Sequence, residues 1–310
     1  MDDMDQALLA LGRALQDGFY HFTTPTPATH AVVNARPGNA WAKTVADVFG
    51  WSRPFRPGVL PDAMLALAQA AGAVVRAGDS WRATVRFSSL DGLLLAHSAY
   101  PTTEANAVFF GPDTYRFAGA IQALPVSTVR RAIDIGAGAG PGALLLARAY
   151  PDAEVFAADI NPAALRLTRI NAALAGVTVH AVQSDLLSNV PGQFGLIVSN
   201  PPYLVDPDER AYRHGGGPLG AELSLAIVRA AWERLAPSGT LLLYTGVAIV
   251  GGHDAFQHAA RAIVPPGVVV TYRELDPDVF GEELTLGAYV TADRIAAVAM
   301  TVRKAESSHA

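Results

Sequence analysis

Apolar positions recur at helical spacing over residues 2–17, near 41–49 and over 61–71, where Leu60-Pro61-Asp62 supplies a helix start. Between 73 and 98 the period shortens. AVVRAG, WRATVRF and GLLLAHS alternate as strands do, with turns at Gly78-Asp79 and Asp91-Gly92. Helices followed by a small hairpin suit a winged-helix-like α+β module. From Arg131 the order changes to strands alternating with helices, which predicts an α/β domain with a mostly parallel sheet. Its seven strands are expected at 131–135, 154–158, 177–182, 194–199, 240–245, 268–274 and 295–302. The last two flank LDPDVFGEELTLGAY, which has no helical period, so they are expected to pair antiparallel at one edge. The division expected is an N-terminal substrate-recognition domain, 1–107, and a second domain, 108–310, with KAESSHA as a frayed tail.

Composition narrows the class. At 310 residues, 51% hydrophobic and 16% charged, the chain can bury a large core and is not of the disordered type. No run approaches the roughly 18 apolar residues of a membrane span, and MDDMDQALLALGRAL is acidic and amphipathic, unlike a signal peptide; a cytoplasmic protein without membrane contact is expected. The absence of cysteine excludes disulfides and thiolate chemistry and disfavours structural zinc; no metal is expected. Charge is uneven: residues 1–131 hold 11 Lys/Arg and 10 Asp/Glu, whereas residues 132–310 hold 12 and 18. Arg36, Lys43, Arg53, Arg56, Arg76, Arg82 and Arg86 form the most basic part, read either as a solvated face or as a nucleic-acid footprint.

AIDIGAGAGPGALLLARAY is a buried strand, a loop with Gly136, Gly138, Gly140 and Gly142, and an amphipathic helix. Such a loop lets a ligand approach the main chain at a helix N-terminus. Gly138, Gly140 and Ala143 also satisfy the dinucleotide pattern, with Asp159 about 20 residues on, so a nicotinamide enzyme competes at this point. Asp159 closes the next strand and suits two ribose hydroxyls, the alternative being a helix cap beside Asn161-Pro162. Asp185 follows the third strand. Asp134, Asp159, Asp185 and Asn200 thus recur at one edge of four consecutive strands, where open parallel sheets bind ligands.

The fourth of these, LIVSNPPYLV, ends a strand on Asn200-Pro201-Pro202-Tyr203. A rigid turn explains most Asn-Pro pairs. A chance Asn/Asp-Pro-Pro-aromatic match in a chain this long is nevertheless on the order of one in a hundred or less from average usage.

Together, DIGAGAG and NPPY resemble the class I S-adenosylmethionine-dependent methyltransferases, specifically the HemK-like glutamine N5-methyltransferases and their methyltransferase small-domain relatives, over about residues 108–302. The resemblance implies a Rossmann-like seven-stranded sheet with an antiparallel edge and S-adenosylmethionine as cofactor. It implies Gly136, Gly138 and Gly140 under the amino-acid moiety with Asp134 supporting the loop, Asp159 on the ribose, Asp185 and Leu186 at the adenine, and Ile160 among the cofactor contacts. FFGPDTYRFAG is similar to the family's Pro-x-Pro-Asp/Glu-Thr-Glu segment, which adds Thr114, but Tyr115 stands where the family has glutamate. At the acceptor end, Asn200, which also belongs to the cofactor set, and the Pro201 carbonyl would each accept one N–H of a planar NH₂ group. Pro202 would stiffen the turn and Tyr203 would stack on the acceptor. Arg213 and His214, in the glycine-rich stretch RAYRHGGGPLGAEL, are further candidates.

The expectation is a methyltransferase acting on a protein glutamine, with a translation factor or ribosomal protein as partner. N6-adenine or N2-guanine methylation of nucleic acid, a nicotinamide oxidoreductase and a non-catalytic cofactor-fold binding protein are the alternatives. The N-terminal region does not resemble the helical substrate domain of the bacterial release-factor enzymes.

Overall fold

In the computed structural model, residues 1–126, 128–210 and 212–306 are described; residues 307–310 of the expected frayed tail lie outside that set. The N-terminal part contains α1 (Asp3–Asp17), α2 (Pro27–Asn34), α3 (Val45–Phe49) and α4 (Asp62–Ala70). Four short strands follow, β1 (Val74–Ala77), β2 (Ser80–Ala83), β3 (Val85–Leu90) and β4 (Leu93–Ser98). Asp2 caps α1 by accepting from Asp5 N–H, and Thr26 caps α2 by accepting from Thr29 N–H. The sequence pattern missed α2, whose eight residues present only His30 to the core.

WRATVRF, expected as one strand, is two. β1 pairs with β2 and β3 with β4, as two separate antiparallel ribbons. The break falls at Thr84, whose N–H and hydroxyl bond the carbonyls of Ala73 and Gly72 while its own carbonyl accepts from Ala99. Its N–H thus extends the β1–β2 register by one residue and its carbonyl extends that of β3–β4, so the chain changes partner at Thr84.

The remaining elements are α5 (Pro112–Gln122), β5 (Arg131–Ile135), α6 (Pro141–Ala149), β6 (Glu154–Asp159), α7 (Pro162–Ala175), β7 (His180–Gln183), β8 (Phe194–Ser199), α8 (Glu222–Arg234), β9 (Leu235–Val250), β10 (His253–Asp254), α9 (Ala255–Ile263), β11 (Val269–Asp276) and β12 (Arg294–Arg303). The main sheet runs β11-β12-β9-β8-β5-β6-β7, with β10 paired onto β9. Strands β5 to β9 are parallel, and β12 is antiparallel to both neighbours, which is the expected antiparallel edge. The segment between β11 and β12 holds two 3₁₀ turns, Gly281–Thr285 and Gly287–Tyr289.

One core lies on each face of this sheet, Leu242 and Tyr244 of β9 entering one and Leu241 and Leu243 the other. A third core joins the two halves of the chain: Leu8, Leu11 and Leu15 of α1 pack with Leu167, Ile170 and Leu174 of α7. Fully buried Asn171, also on α7, reinforces that seam. Its side-chain oxygen accepts from Ala96 N–H at 2.8 Å, and its nitrogen donates to the carbonyls of Ala96 (2.9 Å) and Ala139 (2.8 Å). An amide side chain thus completes the free edge of β4 as a neighbouring strand would. Among the described residues no helix is long and apolar enough to cross a membrane.

Candidate active site

Strand order reverses between β5 and β8, so the loops that leave their carboxyl ends diverge and open a crevice. Register sets the two loops level. Ile135 lies opposite both Ser199 on β8 and Ala158 on β6, so Gly136, Asp159 and Asn200 follow at one height on adjacent strands. Ser199, fully buried, donates its hydroxyl to the Ile135 carbonyl at 2.7 Å and ties the two strand ends together.

The cleft there encloses about 1400 Å³, its open mouth included. Thr114, Asp134, Gly136, Gly138, Asp159, Ile160, Asp185, Leu186, Asn200, Pro201, Pro202 and Tyr203 all line it. Gly140 does not. At φ +88° it precedes α6, and a Cβ there would press on Leu144 and Thr168, so its glycine serves helix packing rather than ligand contact. At Gly136 and Gly138, by contrast, a Cβ would enter open space, and that space belongs to the cleft.

Asp134 is buried beneath the loop and accepts the Ala143 N–H at 3.0 Å, in the first turn of α6. Burial pushes its carboxyl up to about 7, against the pull of the Ala143 and Gly142 amides. Asp159 accepts from Gly138 N–H (2.9 Å) and Asn161 N–H (2.8 Å). Capping of α7 falls to Asn161, whose side chain accepts from Ala163 N–H. A carboxylate offers about four acceptor sites, so Asp159 keeps lone pairs facing the cleft. Asp185 is exposed, as is Ile160, at 56% unusual for isoleucine. Leu186 holds φ at +47° and Phe280, on the opposite wall, at +55°. Two bulky residues in the left-handed region mark backbone held by its surroundings.

The Asn200–Tyr203 turn is packed from behind. A Cβ on Gly215 or Gly220 would collide with the Tyr203 backbone, and one on Gly246 of β9 with the Tyr203 ring. The glycine-rich stretch after the motif is therefore built against it. Tyr203 is 7% exposed, its ring meeting Tyr244 and Phe280 edge-on at centroid distances of 6.5 and 5.9 Å. Little of the ring is left to stack on a planar acceptor, contrary to the expectation from its motif. Arg213 reaches the cleft wall while bonding Glu283 and lying 3.4 Å from Asp206. His214 does not line the cleft; its Nδ1 accepts from Asp206 N–H.

Phe109, Asp113, Phe117, Tyr212, Leu223, Ile227 and Phe280 complete the walls. Most carried no signal in the sequence, because they come from α5, α8 and loops that only the folded chain brings together. Tyr115, the departure from the family segment, accepts from Thr24 N–H at 2.9 Å and binds α5 to the N-terminal part.

Residues 119–249 match the family model described as methyltransferase small domain. The release factor glutamine methyltransferase of Deinococcus radiodurans is 39% identical over 156 residues, covering 46% of this chain and 55% of its own length. The ribosomal protein uL3 glutamine methyltransferase of Neisseria meningitidis is 33% identical over 130 residues, covering 38% and 43%. The chain thus spans about half the length of the curated relatives it matches. A solved structure from Pyrococcus horikoshii aligns with 79% of this chain and 83% of its own at a TM-score of 0.51 and 15% identity, a likeness of fold alone. The matched residues include the glycine loop, Asp159, Asp185 and the Asn200–Tyr203 turn. Thr114 and the rest of the FFGPDTYRFAG segment before Gly119 precede them.

Proposed function

We propose that this chain is an S-adenosylmethionine-dependent methyltransferase whose acceptor is the side-chain amide of a glutamine in a protein. The cleft fits that cofactor: Gly136 and Gly138 leave room for its amino-acid end, Asp159 has acceptor sites for ribose hydroxyls, and Ile160 and Leu186 offer apolar surface beside Asp185 for the adenine. Asp134 supports the loop from beneath, and Thr114 lines the cleft beside it. Bound there, the cofactor supplies an electrophilic methyl group.

The observation that carries the reading is the state of the turn opposite the glycine loop. Among the described residues neither the Asn200 side-chain amide nor the Pro201 carbonyl has a hydrogen-bond partner, and both line the cleft. Two free acceptors side by side suit the two N–H groups of one NH₂. Holding both aligns the nitrogen and favours the charge it gains as bonding begins, without a separate base.

Glutamine is favoured over a nucleic-acid base by the activities named for the relatives and by the charge that folding leaves outside. Arg53 and Arg86 are buried, Arg53 being paired with Asp47. Arg36, Lys43, Arg56, Arg76 and Arg82 remain exposed among Asp62 and Asp79, on a chain of net charge −5. A translation factor or ribosomal protein is the partner proposed, and the cytoplasm the compartment.

The test is incubation of lysate with methyl-labelled cofactor, followed by separate protease and nuclease digestion. Label should resist nuclease, yield to protease and reside on glutamine, and Asn200→Ala should abolish it while S-adenosylhomocysteine still binds. N6-methyladenine or N2-methylguanine in the nuclease digest would replace the acceptor proposed here.

A further inference from the structure

Asp113 lines the cleft within the FFGPDTYRFAG segment, and its carboxyl has so far been given no role. It lies in the first turn of α5, 5% exposed, and one of its oxygens accepts from the Tyr244 hydroxyl at 2.7 Å and from Arg116 at 3.3 Å. Arg116 is held in turn by Asp276 at 2.7 Å. The other carboxyl oxygen makes no hydrogen bond among the described residues. The Tyr203 hydroxyl is buried with no hydrogen-bond partner beside this carboxyl, and burial first, then the Asp113 charge, drives its ionisation well up. Asp113 also lies on the wall, with Phe109 and Phe280, that the main cleft shares with a smaller neighbouring cavity.

A buried carboxyl is costly unless it is used, and a buried hydroxyl without a partner is costly as it stands. Here the two costs adjoin, and one small movement of the Tyr203 ring removes both. We propose that Asp113 is a positioning residue: in solution its free oxygen accepts the Tyr203 hydroxyl and so locks the Asn200–Tyr203 turn, while Tyr244 and Arg116 hold the carboxyl in place. It touches neither cofactor nor acceptor in this role. The turn's part in catalysis rests on the function proposed above; the lock itself does not.

Three variants test it: Tyr203→Phe, Asp113→Asn and the double. Tyr203→Phe removes one oxygen and no packing, so it keeps the test open if Asp113→Asn fails to fold. Hydrogen exchange at the amides of Tyr203, Leu204 and Val205 needs no substrate. Each single variant should speed it about tenfold, and the double no further, because both changes cut one link. In the labelled-lysate assay, turnover should fall about tenfold in each, with the KM for S-adenosylmethionine within about twofold of wild type. A hydroxyl that never finds a partner gives the opposite result for Tyr203→Phe: unchanged exchange, full turnover and equal or greater stability. That outcome, or effects that multiply in the double variant, overturns the proposal. Failure of the wild type to label any protein would instead count against the glutamine reading and leave the exchange result standing.

Discussion

Gly246 provides the space that the Tyr203 ring occupies: a Cβ at this point of β9 would overlap two ring carbons. Position 246 pairs with Ala297 in the ladder and has no special backbone conformation, so it is the ring, not φ, that requires glycine. Gly246→Ala should therefore displace the turn while leaving the glycine loop alone. The expected outcome is a stability loss of about 1–3 kcal/mol, typical of overpacking. Turnover should drop at least tenfold and S-adenosylhomocysteine affinity change less than threefold, read by calorimetry beside the methyl-transfer assay. Equal loss of affinity and turnover would place Gly246 in global stability only.

Asp159 joins two duties, holding Gly138 and Asn161 through their amides and facing the cleft with its remaining lone pairs. Asp159→Ala should weaken cofactor binding by roughly 2–4 kcal/mol, from lost charge-assisted bonds and hydroxyls left unpaired. Calorimetry with S-adenosylhomocysteine measures this. Unchanged affinity, or binding of NAD instead, would contradict the cofactor assignment.

Asn171 supports both the β4 edge and the glycine loop through Ala96 and Ala139. Asn171→Leu keeps the volume and strands three buried backbone groups, each worth about 1–3 kcal/mol when unmet. Chemical denaturation should show a loss of roughly 3 kcal/mol or more, and cofactor affinity should fall as well because Ala139 belongs to the loop. A loss below 1 kcal/mol would mean that the backbone finds other partners.

His30 makes the N-terminal part sensitive to acid. Its Nδ1 accepts from Arg86 at 2.8 Å, which leaves Nε2–H to donate to the Trp51 carbonyl at 2.8 Å. Burial first, then the Arg86 charge, lower its pKa from 6.5 to about 4, and burial acts in the same direction on His97. Because the folded pKa lies below the unfolded one, the unfolded chain takes the proton first as pH falls. The stability His30 contributes is complete above about pH 6.5 and is lost between there and pH 4, roughly 3 kcal/mol in all. Asp134, raised to about 7, contributes with the opposite sign over the same range, so the decrease is read as a difference: urea unfolding at pH 7.5 and 4.5 should show wild type losing roughly 3 kcal/mol more than His30→Gln. Equal pH dependence in the two proteins would mean that His30 does not carry this sensitivity.

Much of the fold was legible because its signals are local. Period and chain order placed all seven principal strands, since a parallel sheet covered on both faces needs short apolar runs separated by helices. Asn200-Pro201-Pro202-Tyr203 was legible because proline and a terminal amide are improbable at the end of a buried strand without a use. Where pairing partners lie outside the local window, pattern failed: at Thr84 the chain passes from the β1 ladder, through Ala73, to the β4 ladder, through Ala99, and α2 formed around a cap and one buried histidine.

The sequence by itself determined which strands form the main sheet, that acids and an amide end them, and that one loop is rich in glycine where a ligand approaches. Those properties depend on residues within a few positions of each other. Only the tertiary structure decided what each group does. The register of Ile135 against Ser199 and Ala158 brings the strand ends level. Packing assigned Gly140 to a helix contact and turned the Tyr203 ring inward over Gly246. Asp113 came to lie beside Tyr203 because α5, the turn after β8, and β9, far apart in the chain, meet in the middle of the sheet, and no local pattern of hydrophobic and polar residues encodes such a meeting.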